Sequence, residues 1–379
     1  MIYLDNAATT WPKPPEVLEA LGSSLDQFGA NPGRGGHSFS LRTARMVLAA
    51  RQELAAFFGS SRPERWIYTS GATESANLAV FGLLNPGDHV LVSPFEHNAV
   101  ARPLHHLSQQ GVEVSPLAVN EFGEVDLVRL PSQLRPNTRL VAVSHASNVT
   151  GAVQPLGSLA AFCREHGPLL MVDAAQTAGL LPIDVEEGID LLLVPGHKSL
   201  YGPPGIGALY ASPQADLRPY RFGGTGSHSE SLEQPEVLPD RLESGTLNTP
   251  GIYAWQAGIR FVRNVGVQAC YQREMQLAQL LVSGLRAIPD VTVYAWASPQ
   301  QVPVIACNLR GIDGTELALI LDQSYQIAVR AGLHCSPMAH RALGTLERGV
   351  VRFSLGYYNT NDEILQTIKA VQEIASELR

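Results

Sequence analysis

Short apolar runs separated by helix-length segments dominate the first two thirds of the chain. Six of these runs have the length of strands, and they lie at residues 66–69, 89–92, 140–143, 169–172, 191–194 and 206–210. Their consecutive apolar positions are typical of strands that are covered on both faces. Residues 44–58 carry apolar side chains on one helical face and are followed by Gly59, which predicts one of the intervening helices. The pattern predicts a mostly parallel β-sheet that is covered by helices, in a domain of the α/β class.

The pattern changes after about residue 260. A long helical stretch at residues 267–288 precedes four short predicted strands, which lie at residues 291–294, 303–309, 326–330 and 350–354. Residues 360–363 (Thr-Asn-Asp-Glu) have the spacing of a capping box and open a final amphipathic helix. A chain of 379 residues is long enough for two domains. We therefore expect a second, smaller α+β domain after the first.

Composition and charge exclude several classes of protein. Hydrophobic residues make up 45% of the chain and charged residues 16%, which is typical of a folded globular protein. The formal net charge is −8 and no cluster of Lys and Arg stands out, so no nucleic-acid-binding surface is expected. No apolar run approaches the roughly 18 residues of a membrane span. The first residues lack the pattern of an export signal, and we expect a cytoplasmic protein without membrane contact.

Three polar features follow predicted strands, where the ends of parallel strands converge on one ligand site. Lys198 lies in a turn after an apolar strand, and a desolvated lysine there can act as a Schiff-base nucleophile. Asp173 ends another strand, where its carboxylate can pair with a protonated ring nitrogen. Residues 70–73 (Ser-Gly-Ala-Thr) resemble a phosphate-binding helix start. Taken alone, Lys198 is more often an ordinary surface lysine, Asp173 is as often a helix-capping residue, and the helix start is a weak signal. Together the three features indicate a pyridoxal phosphate (PLP) site.

With further motifs near both ends of the chain, these features resemble the cysteine desulfurase family of class V, fold-type I PLP enzymes. The resemblance covers essentially the whole length, and its motifs lie at residues 3–10 (YLDNAATT), 172–176 (VDAAQ), 196–198 (GHK), 330–335 (RAGLHC) and 351–360 (VRFSLGYYNT). It implies a large PLP-binding domain at residues 15–260 with a mostly parallel seven-stranded sheet. It also implies a small α+β domain, made of residues 1–14 and 261–379, that carries the loop with Cys335.

The resemblance implies roles in cofactor binding. Lys198 would bind PLP as a Schiff base, Asp173 would hold the pyridine nitrogen, and His97 would stack on the ring and move protons. The other implied cofactor contacts are Gln176 and Asn148 at the ring oxygen, Ala72, Thr73 and His197 at the phosphate, and Thr246 at the phosphate of a neighbouring subunit. The contact from Thr246 implies a homodimer with shared active sites.

The resemblance also assigns residues to the substrate. Arg352 would clamp the substrate carboxylate, because a guanidinium can bind a carboxylate through two hydrogen bonds. The family places Asn148, His37 and Arg330 near the substrate as well. Pro195 departs from the family pattern, in which Ser or Thr is common two residues before the His of the GHK turn. Proline offers neither a hydroxyl nor an N–H group, so we expect one phosphate hydrogen bond fewer and weaker retention of PLP.

Cys335 decides between the reactions that this fold supports. Arg330 and His334 are expected to make its surroundings electropositive and to favour the thiolate, although a single cysteine is commonly a buried structural residue. A metal site of His334, Cys335 and His340 has little support, because no fourth ligand follows at zinc spacing. The R-x-G-x-H-C arrangement resembles the family's short-cysteine-loop, selenocysteine-lyase-like subgroup. The remaining cysteines lack such a context and are expected to be structural; they are Cys163, Cys270 and Cys307.

The resemblance implies a PLP-dependent cysteine desulfurase without a metal. Such an enzyme converts L-cysteine to L-alanine and passes the sulfur through a Cys335 persulfide to an acceptor, for which a sulfur-acceptor protein is an expected partner. The alternatives are another PLP reaction on the same fold, namely that of a selenocysteine lyase, a cysteine sulfinate desulfinase or an aminotransferase, and a low-turnover PLP-binding sulfur carrier. Dependence on Cys335 separates the persulfide route from direct elimination and from transamination.

Overall fold

The computed structural model of the chain describes residues 1–33, 35–227, 230–298 and 300–378. The strands in these ranges are β1 (Ile2–Tyr3), β2 (Trp66–Thr69), β3 (His89–Val92), β4 (Glu113–Pro116), β5 (Thr138–Ser144), β6 (Leu169–Asp173), β7 (Leu191–Pro195), β8 (Gly207–Ala211), β9 (Val291–Tyr294), β10 (Val304–Leu309), β11 (Ile327–Ala328), β12 (Arg330–Gly332) and β13 (Val350–Ser354). The α-helices are α1 (Pro15–Phe28), α2 (Ser38–Phe57), α3 (Ala72–Leu83), α4 (Asn98–Ser108), α5 (Leu130–Gln133), α6 (Leu156–His166), α7 (Thr249–Val265), α8 (Val267–Ala287), α9 (Gly314–Tyr325), α10 (Pro337–Leu343) and α11 (Asn361–Glu377).

Seven strands form the larger sheet in the spatial order β2-β8-β7-β6-β5-β3-β4. Only β8 runs antiparallel to its neighbours, so the expected mostly parallel, seven-stranded α/β sheet is confirmed. All six strands predicted from apolar runs are present, and the helix predicted at residues 44–58 corresponds to α2, which begins six residues earlier and ends at Phe57. The apolar pattern does not predict β4, because this strand lies at the sheet edge and its residues are half-buried or exposed.

Helices cover both faces of this sheet, which explains the continuous apolar strands. In β6, Leu170 and Val172 pack into the core that contains residues of α2, α6 and α7. Leu169 and Met171, which point to the opposite face, pack into the core that contains residues of α3 and α4. Successive side chains of a strand point to opposite faces, so burial of both faces requires an apolar residue at every position.

The second sheet contains four antiparallel strands in the order β12-β13-β10-β9. It shares a hydrophobic core with α8, α9 and α11, and Ile2 and Leu4 from the start of the chain join this core. The prediction of one strand at residues 326–330 is wrong, because β11 pairs with β1 whereas β12 joins the four-stranded sheet. The capping box at the start of α11 is present. The domain boundaries stay predictions.

The parallel strands place polar residues at one edge of the larger sheet. Gly71, His97, Asn148 and Lys198 follow β2, β3, β5 and β7, and Asp173 ends β6. Because these strands run in the same direction, the five positions lie on the same side of the sheet. No helix in the described ranges is long and apolar enough to cross a membrane.

The turn between β2 and α3 packs closely on β8. A Cβ atom added to Gly207 would lie 2.7 Å from the Cα atom of Gly71, which is closer than real Cβ contacts allow. Glycine at position 207 therefore lets the turn before α3 approach the neighbouring strand, as backbone contacts of this kind require. The close approach fixes the start of α3 at the sheet edge.

Candidate active site

A cavity of about 300 Å³ lies at this edge of the larger sheet. It brings together ten of the predicted site residues: Ala72, Thr73, His97, Asn148, Asp173, Gln176, His197, Lys198, Arg330 and Arg352. Pro195 and the N-terminal residues Ala7 and Ala8 line it as well. Three predicted residues are not among the residues that line this cavity; they are His37, Thr246 and Cys335.

Asp173 is buried in the cavity wall, and Lys198 is half-buried there. Burial lowers the pKa of the Lys198 amine to about 8, and the charge of Asp173 only partly opposes this shift. Burial raises the pKa of the Asp173 carboxyl, whereas the Ala175 N–H group, which donates to Oδ1 at 2.9 Å, and the charge of Lys198 lower it. A lysine with a lowered pKa has a larger fraction of nucleophilic, uncharged amine near neutral pH.

The start of α3 has the properties of an anion site. Helix α3 begins at Ala72, and within the described residues no side chain caps its first turn. Ala72 and Thr73 line the cavity, so backbone N–H groups and the positive end of the helix dipole are directed at it. Nearby His197 is uncharged at neutral pH, because burial and the charges of Lys198 and Lys13 lower its pKa to about 4.

The N-terminal segment holds the turn that carries Lys198. Thr9 Oγ1 and Lys13 Nζ donate to the carbonyl of His197 at 3.1 and 2.7 Å. Thr10 Oγ1 donates to the carbonyl of Lys198 at 2.9 Å. Burial lowers the pKa of Lys13 to about 8. Lys13 was not among the predicted site residues, although its position only three residues beyond the YLDNAATT motif is a signal for it.

Arg352 is a buried cation at the cavity, with only 1% of its surface exposed. Its Nη2 atom lies 2.6 Å from Asp5 Oδ1, and its Nη1 atom donates to the carbonyl of Asn148 at 3.1 Å. The buried Nε atom has no hydrogen-bond partner among the described residues. Because a guanidinium carries five N–H donors, Arg352 keeps donors for an anionic ligand. Its partner Asp5 was not among the predicted site residues.

Glu96 is another residue near the cavity that was not among the predicted site residues. It is fully buried and accepts hydrogen bonds from the backbone N–H and the hydroxyl of Ser144. Burial, assisted by the charge of Asp173, raises the pKa of the Glu96 carboxyl to about 8. Burial and nearby cations, chiefly Lys198, lower the pKa of His97 to about 4. A carboxyl group that is mostly protonated at neutral pH therefore precedes an uncharged imidazole at the cavity.

Cys335 lies in a groove that adjoins the cavity, and Thr73 and His97 line both spaces. Arg330 Nη2 is 3.5 Å from Cys335 Sγ, as expected for an electropositive neighbour. The expected contribution of His334 is wrong, because burial and the charge of Arg352 lower its pKa to about 3. The His334 imidazole is therefore uncharged, and Arg330 is the cation in contact with the thiol.

The other three cysteines are buried, as expected for structural residues, and burial raises the pKa of each thiol to about 12; they are Cys163, Cys270 and Cys307. A thiol with so high a pKa is almost entirely protonated at neutral pH and is a poor nucleophile. In the part of the chain that the structure describes, no three or more potential metal ligands lie close enough together to hold a metal ion. His334, Cys335 and His340 therefore do not form a metal site in the structure.

Two predicted residues contact groups outside the cavity. His37 precedes α2, and its Nδ1 atom accepts a hydrogen bond of 3.2 Å from the Ser40 N–H group. Thr246 Oγ1 accepts a hydrogen bond of 3.4 Å from Asn31 Nδ2. The structure thus gives His37 a helix-capping contact, and the roles of both residues toward substrate and cofactor stay predictions.

Two predicted cofactor contacts are engaged with protein groups. Gln176 Nε2 donates to the carbonyl of Ala7 at 3.2 Å. The Asn148 amide binds on both sides of Cys335, since its Nδ2 atom donates to the carbonyl of His334 and its Oδ1 atom accepts from Ser336, each at 2.7 Å. The predicted contacts of Gln176 and Asn148 with a ring oxygen stay predictions, but the amide of Asn148 has an additional partner in the loop of Cys335.

Comparison with known proteins identifies the family. The profile of the family described as aminotransferase class-V matches residues 2–366. A probable cysteine desulfurase from Methanothermobacter thermautotrophicus is 35% identical, and the match covers 99% of this chain and 94% of that protein. The chain belongs to the cysteine desulfurase family. The resemblance inferred from the sequence motifs is therefore confirmed, and members of class V depend on PLP in general.

Two further relatives, one curated protein and one solved structure, are also cysteine desulfurases. A cysteine desulfurase from Klebsiella pneumoniae is 34% identical over 99% of this chain and 93% of its own length. The apo structure of a cysteine desulfurase from Thermococcus onnurineus NA1 superposes with a TM-score of 0.93 at 30% identity, and it covers 99% of this chain and 95% of that one. Sequence and fold both support an enzyme of this class.

Proposed function

We propose that this protein is a PLP-dependent cysteine desulfurase in which Cys335 receives the sulfur of L-cysteine. The observation that carries the proposal is the position of Cys335, which lies beside the cavity that contains Lys198, Asp173 and Arg352. The family supports the reaction class, and the placement of a thiol next to an arginine supports the route of the sulfur.

The cavity residues fit PLP. The uncapped start of α3 suits a phosphate group, since free N–H groups and the helix dipole stabilise an anion. The buried carboxylate of Asp173 suits a protonated ring nitrogen, and the Lys198 amine suits a covalent link to the cofactor aldehyde. When bound, PLP supplies an electron sink for negative charge at the substrate Cα. Pro195 has no N–H group, and weaker retention of PLP stays a prediction.

The side chains around the cavity can hold and move the protons of the reaction. Arg352 would bind the substrate carboxylate, because its guanidinium retains an unpartnered Nε donor. The Lys198 amine, with its pKa of about 8, would accept the proton from the substrate Cα. His97 Nδ1 accepts a hydrogen bond of 3.0 Å from the Ala99 N–H group, so the neutral ring carries its proton on Nε2. That Nε2 proton is the one that His97 can donate.

Cys335 then receives the sulfur. In the net reaction L-cysteine and the Cys335 thiol give L-alanine and a Cys335 persulfide. The carbon–sulfur bond of the substrate breaks, a sulfur–sulfur bond forms at Cys335 Sγ, and the proton of the enzyme thiol is balanced by the hydrogen gained by the alanine methyl group. Arg330, at 3.5 Å from Sγ, stabilises the attacking thiolate. A small thiol or a sulfur-acceptor protein would take the persulfide sulfur.

The proposal includes a homodimer and a cytoplasmic location. Thr246 is not among the residues that line the cavity of its own subunit, which agrees with a role at the phosphate of a neighbouring subunit. Measurement of the oligomeric state, together with loss of PLP affinity in Thr246→Ala, tests this part. The location stays a prediction.

A paired assay tests the function. PLP-loaded wild-type protein and Cys335→Ala receive L-cysteine and a reductant, and alanine and sulfide are quantified. Cys307→Ala serves as the matched control, because Cys307 is a buried cysteine of β10. We expect the wild type and the control to form both products, and Cys335→Ala to lose sulfide formation while it keeps the visible absorption of the bound cofactor. Equal activity of Cys335→Ala would replace the proposal by a lyase or another PLP reaction.

A further inference from the structure

The cysteine loop, defined as residues 333–336, has an unusual backbone. It connects β12 to α10, and His334 and Cys335 have φ angles of +48° and +59°. Residues with a Cβ atom seldom adopt this left-handed conformation, and two in succession are rarer still. Such a conformation persists only where surrounding contacts hold it in place.

Three hydrogen bonds of 2.7 Å fix the cysteine loop on either side of the Cys335 side chain. Asn148 Nδ2 donates to the carbonyl of His334, and the Asn98 N–H group donates to the carbonyl of Cys335. Ser336 Oγ donates to Asn148 Oδ1. The two N–H···O bonds are at the short end of the normal range, and the O–H···O bond has the usual length. The loop is therefore attached to the segment that follows β5 and to the start of α4.

The Ser336 side chain does not cap α10 and contacts Asn148 instead. It occupies the N-cap position of α10, where a serine oxygen normally accepts a hydrogen bond from the first helical turn. Within the described residues its side chain makes no capping bond, and Ser336 is fully buried. The hydroxyl is directed to the amide of Asn148 instead. A buried hydroxyl that does not cap its helix indicates a separate structural requirement at this position.

We propose that Ser336, acting through Asn148, is a positioning residue for the sulfur-accepting thiol of Cys335; this inference rests on the proposed function. The Asn148 carbonyl accepts a hydrogen bond from Arg352 Nη1 at 3.1 Å, whereas its side chain holds the cysteine loop. The arginine expected at the substrate carboxylate and the thiol expected at the substrate sulfur therefore belong to one hydrogen-bonded unit. This unit sets the distance between the two groups that must engage the same substrate molecule.

The variant Ser336→Ala tests the proposal in the PLP-loaded protein. Ser212→Ala is the matched control, because Ser212 is also buried and donates a 2.7 Å hydrogen bond, to Asp190 Oδ1, on the far side of the sheet from the cavity. We expect amide hydrogen exchange in residues 333–336 to accelerate by about tenfold in Ser336→Ala, which corresponds to the loss of one hydrogen bond. We expect kcat for alanine formation to fall by about tenfold while KM for L-cysteine stays within about twofold. Ser212→Ala should leave the exchange rate of residues 333–336, kcat and KM unchanged.

Two results would overturn the proposal. One is exchange and kcat in Ser336→Ala that stay within about twofold of the wild type. The other needs no variant: rapid, unprotected exchange of the Ser336 N–H group in the wild type, although this group donates to the Leu333 carbonyl at 2.9 Å. Hydrogen exchange reports on the loop without turnover. If the wild type makes no alanine but its cysteine loop is protected from exchange, the proposed function is contradicted. The effect of Ser336→Ala on loop exchange can still be measured in that case.

Discussion

Lys198 and Asp173 extend from the ends of β7 and β6, whereas Cys335 lies on a short loop of left-handed backbone between β12 and α10. The two strands are buried in the middle of the seven-stranded sheet and are held by cores on both faces. The cysteine loop is held by individual hydrogen bonds from Asn148, Asn98 and Ser336. We call the part of the site around Lys198 and Asp173 the cofactor side, and the loop of Cys335 the thiol side. The cofactor side is held by the packed sheet, and the thiol side is held by individual hydrogen bonds.

This difference affects how each side responds to substitution. For Lys198 and Asp173, the sheet fixes the position of the backbone from which each side chain extends. Burial sets the protonation state of the side chain, as the lowered pKa of Lys198 shows. On the thiol side a few individual hydrogen bonds hold the loop of Cys335, and one of them depends on Ser336 Oγ. We expect changes on the cofactor side to alter charge and binding, and changes on the thiol side to alter the rate of sulfur transfer.

Glu96→Gln tests the electrostatics of the cofactor side with the largest expected effect. The pKa of Glu96 is raised from 4.5 to about 8 in the folded protein, so its protonated form stabilises the fold fully below about pH 4.5 and progressively less as the pH rises to about 8. Glutamine does not titrate. The free energy of unfolding of Glu96→Gln, relative to wild type, should therefore increase by about 3 kcal/mol between pH 5 and pH 8.

Urea unfolding of the cofactor-free proteins across this pH range measures the difference. Glu121→Gln is the control, because Glu121 is an exposed residue of a turn. A difference between wild type and Glu96→Gln that stays constant with pH would mean that Glu96 is ionised in the folded protein.

Arg352→Gln tests the connection between the two sides. Loss of the charged donors should raise KM for L-cysteine by about a hundredfold, since hydrogen bonds to charged groups contribute more than neutral ones. Arg310→Gln is the control, because the Arg310 side chain is 81% exposed. An unchanged KM in a folded Arg352→Gln variant would show that another group binds the carboxylate.

The regular part of the molecule could be predicted from the sequence because its signals are local. The continuous apolar runs of β5, β6 and β7 require burial on both faces, and Thr360 and Glu363 are sufficient to predict the start of α11. The half-exposed edge strand β4 has no such run. The break between β11 and β12 depends on pairing with β1, which lies at the other end of the chain.

The residues of the candidate site could be predicted from the sequence only where they lie in recognisable motifs. Lys198, Asp173 and Arg352 lie in motifs, and the cavity brings them together. The uncharged state of His334 depends on burial that arises only in the folded chain. The contact between Asn148 and Ser336 joins segments that are distant in sequence, so no local sequence pattern predicts it.

Lys13→Met has the smallest expected effect of these substitutions. Lys13 Nζ donates to the carbonyl of His197 at 2.7 Å, so its loss should loosen the turn that carries Lys198 and lower kcat by about tenfold. The control is Lys369→Met, because the Lys369 side chain is 76% exposed on α11. Steady-state kinetics with L-cysteine measure the effect. A kcat equal to that of the control would show that Thr9 and Thr10 suffice to hold the turn.

The central claim is that Cys335 receives the sulfur, and mass spectrometry tests it most directly. PLP-loaded wild-type protein is incubated with L-cysteine in the absence of a reductant, alkylated and digested. We predict a mass gain of one sulfur atom on the peptide that contains Cys335 and no gain on the peptides that contain Cys163, Cys270 or Cys307. Formation of alanine without added sulfur on Cys335 would contradict the account.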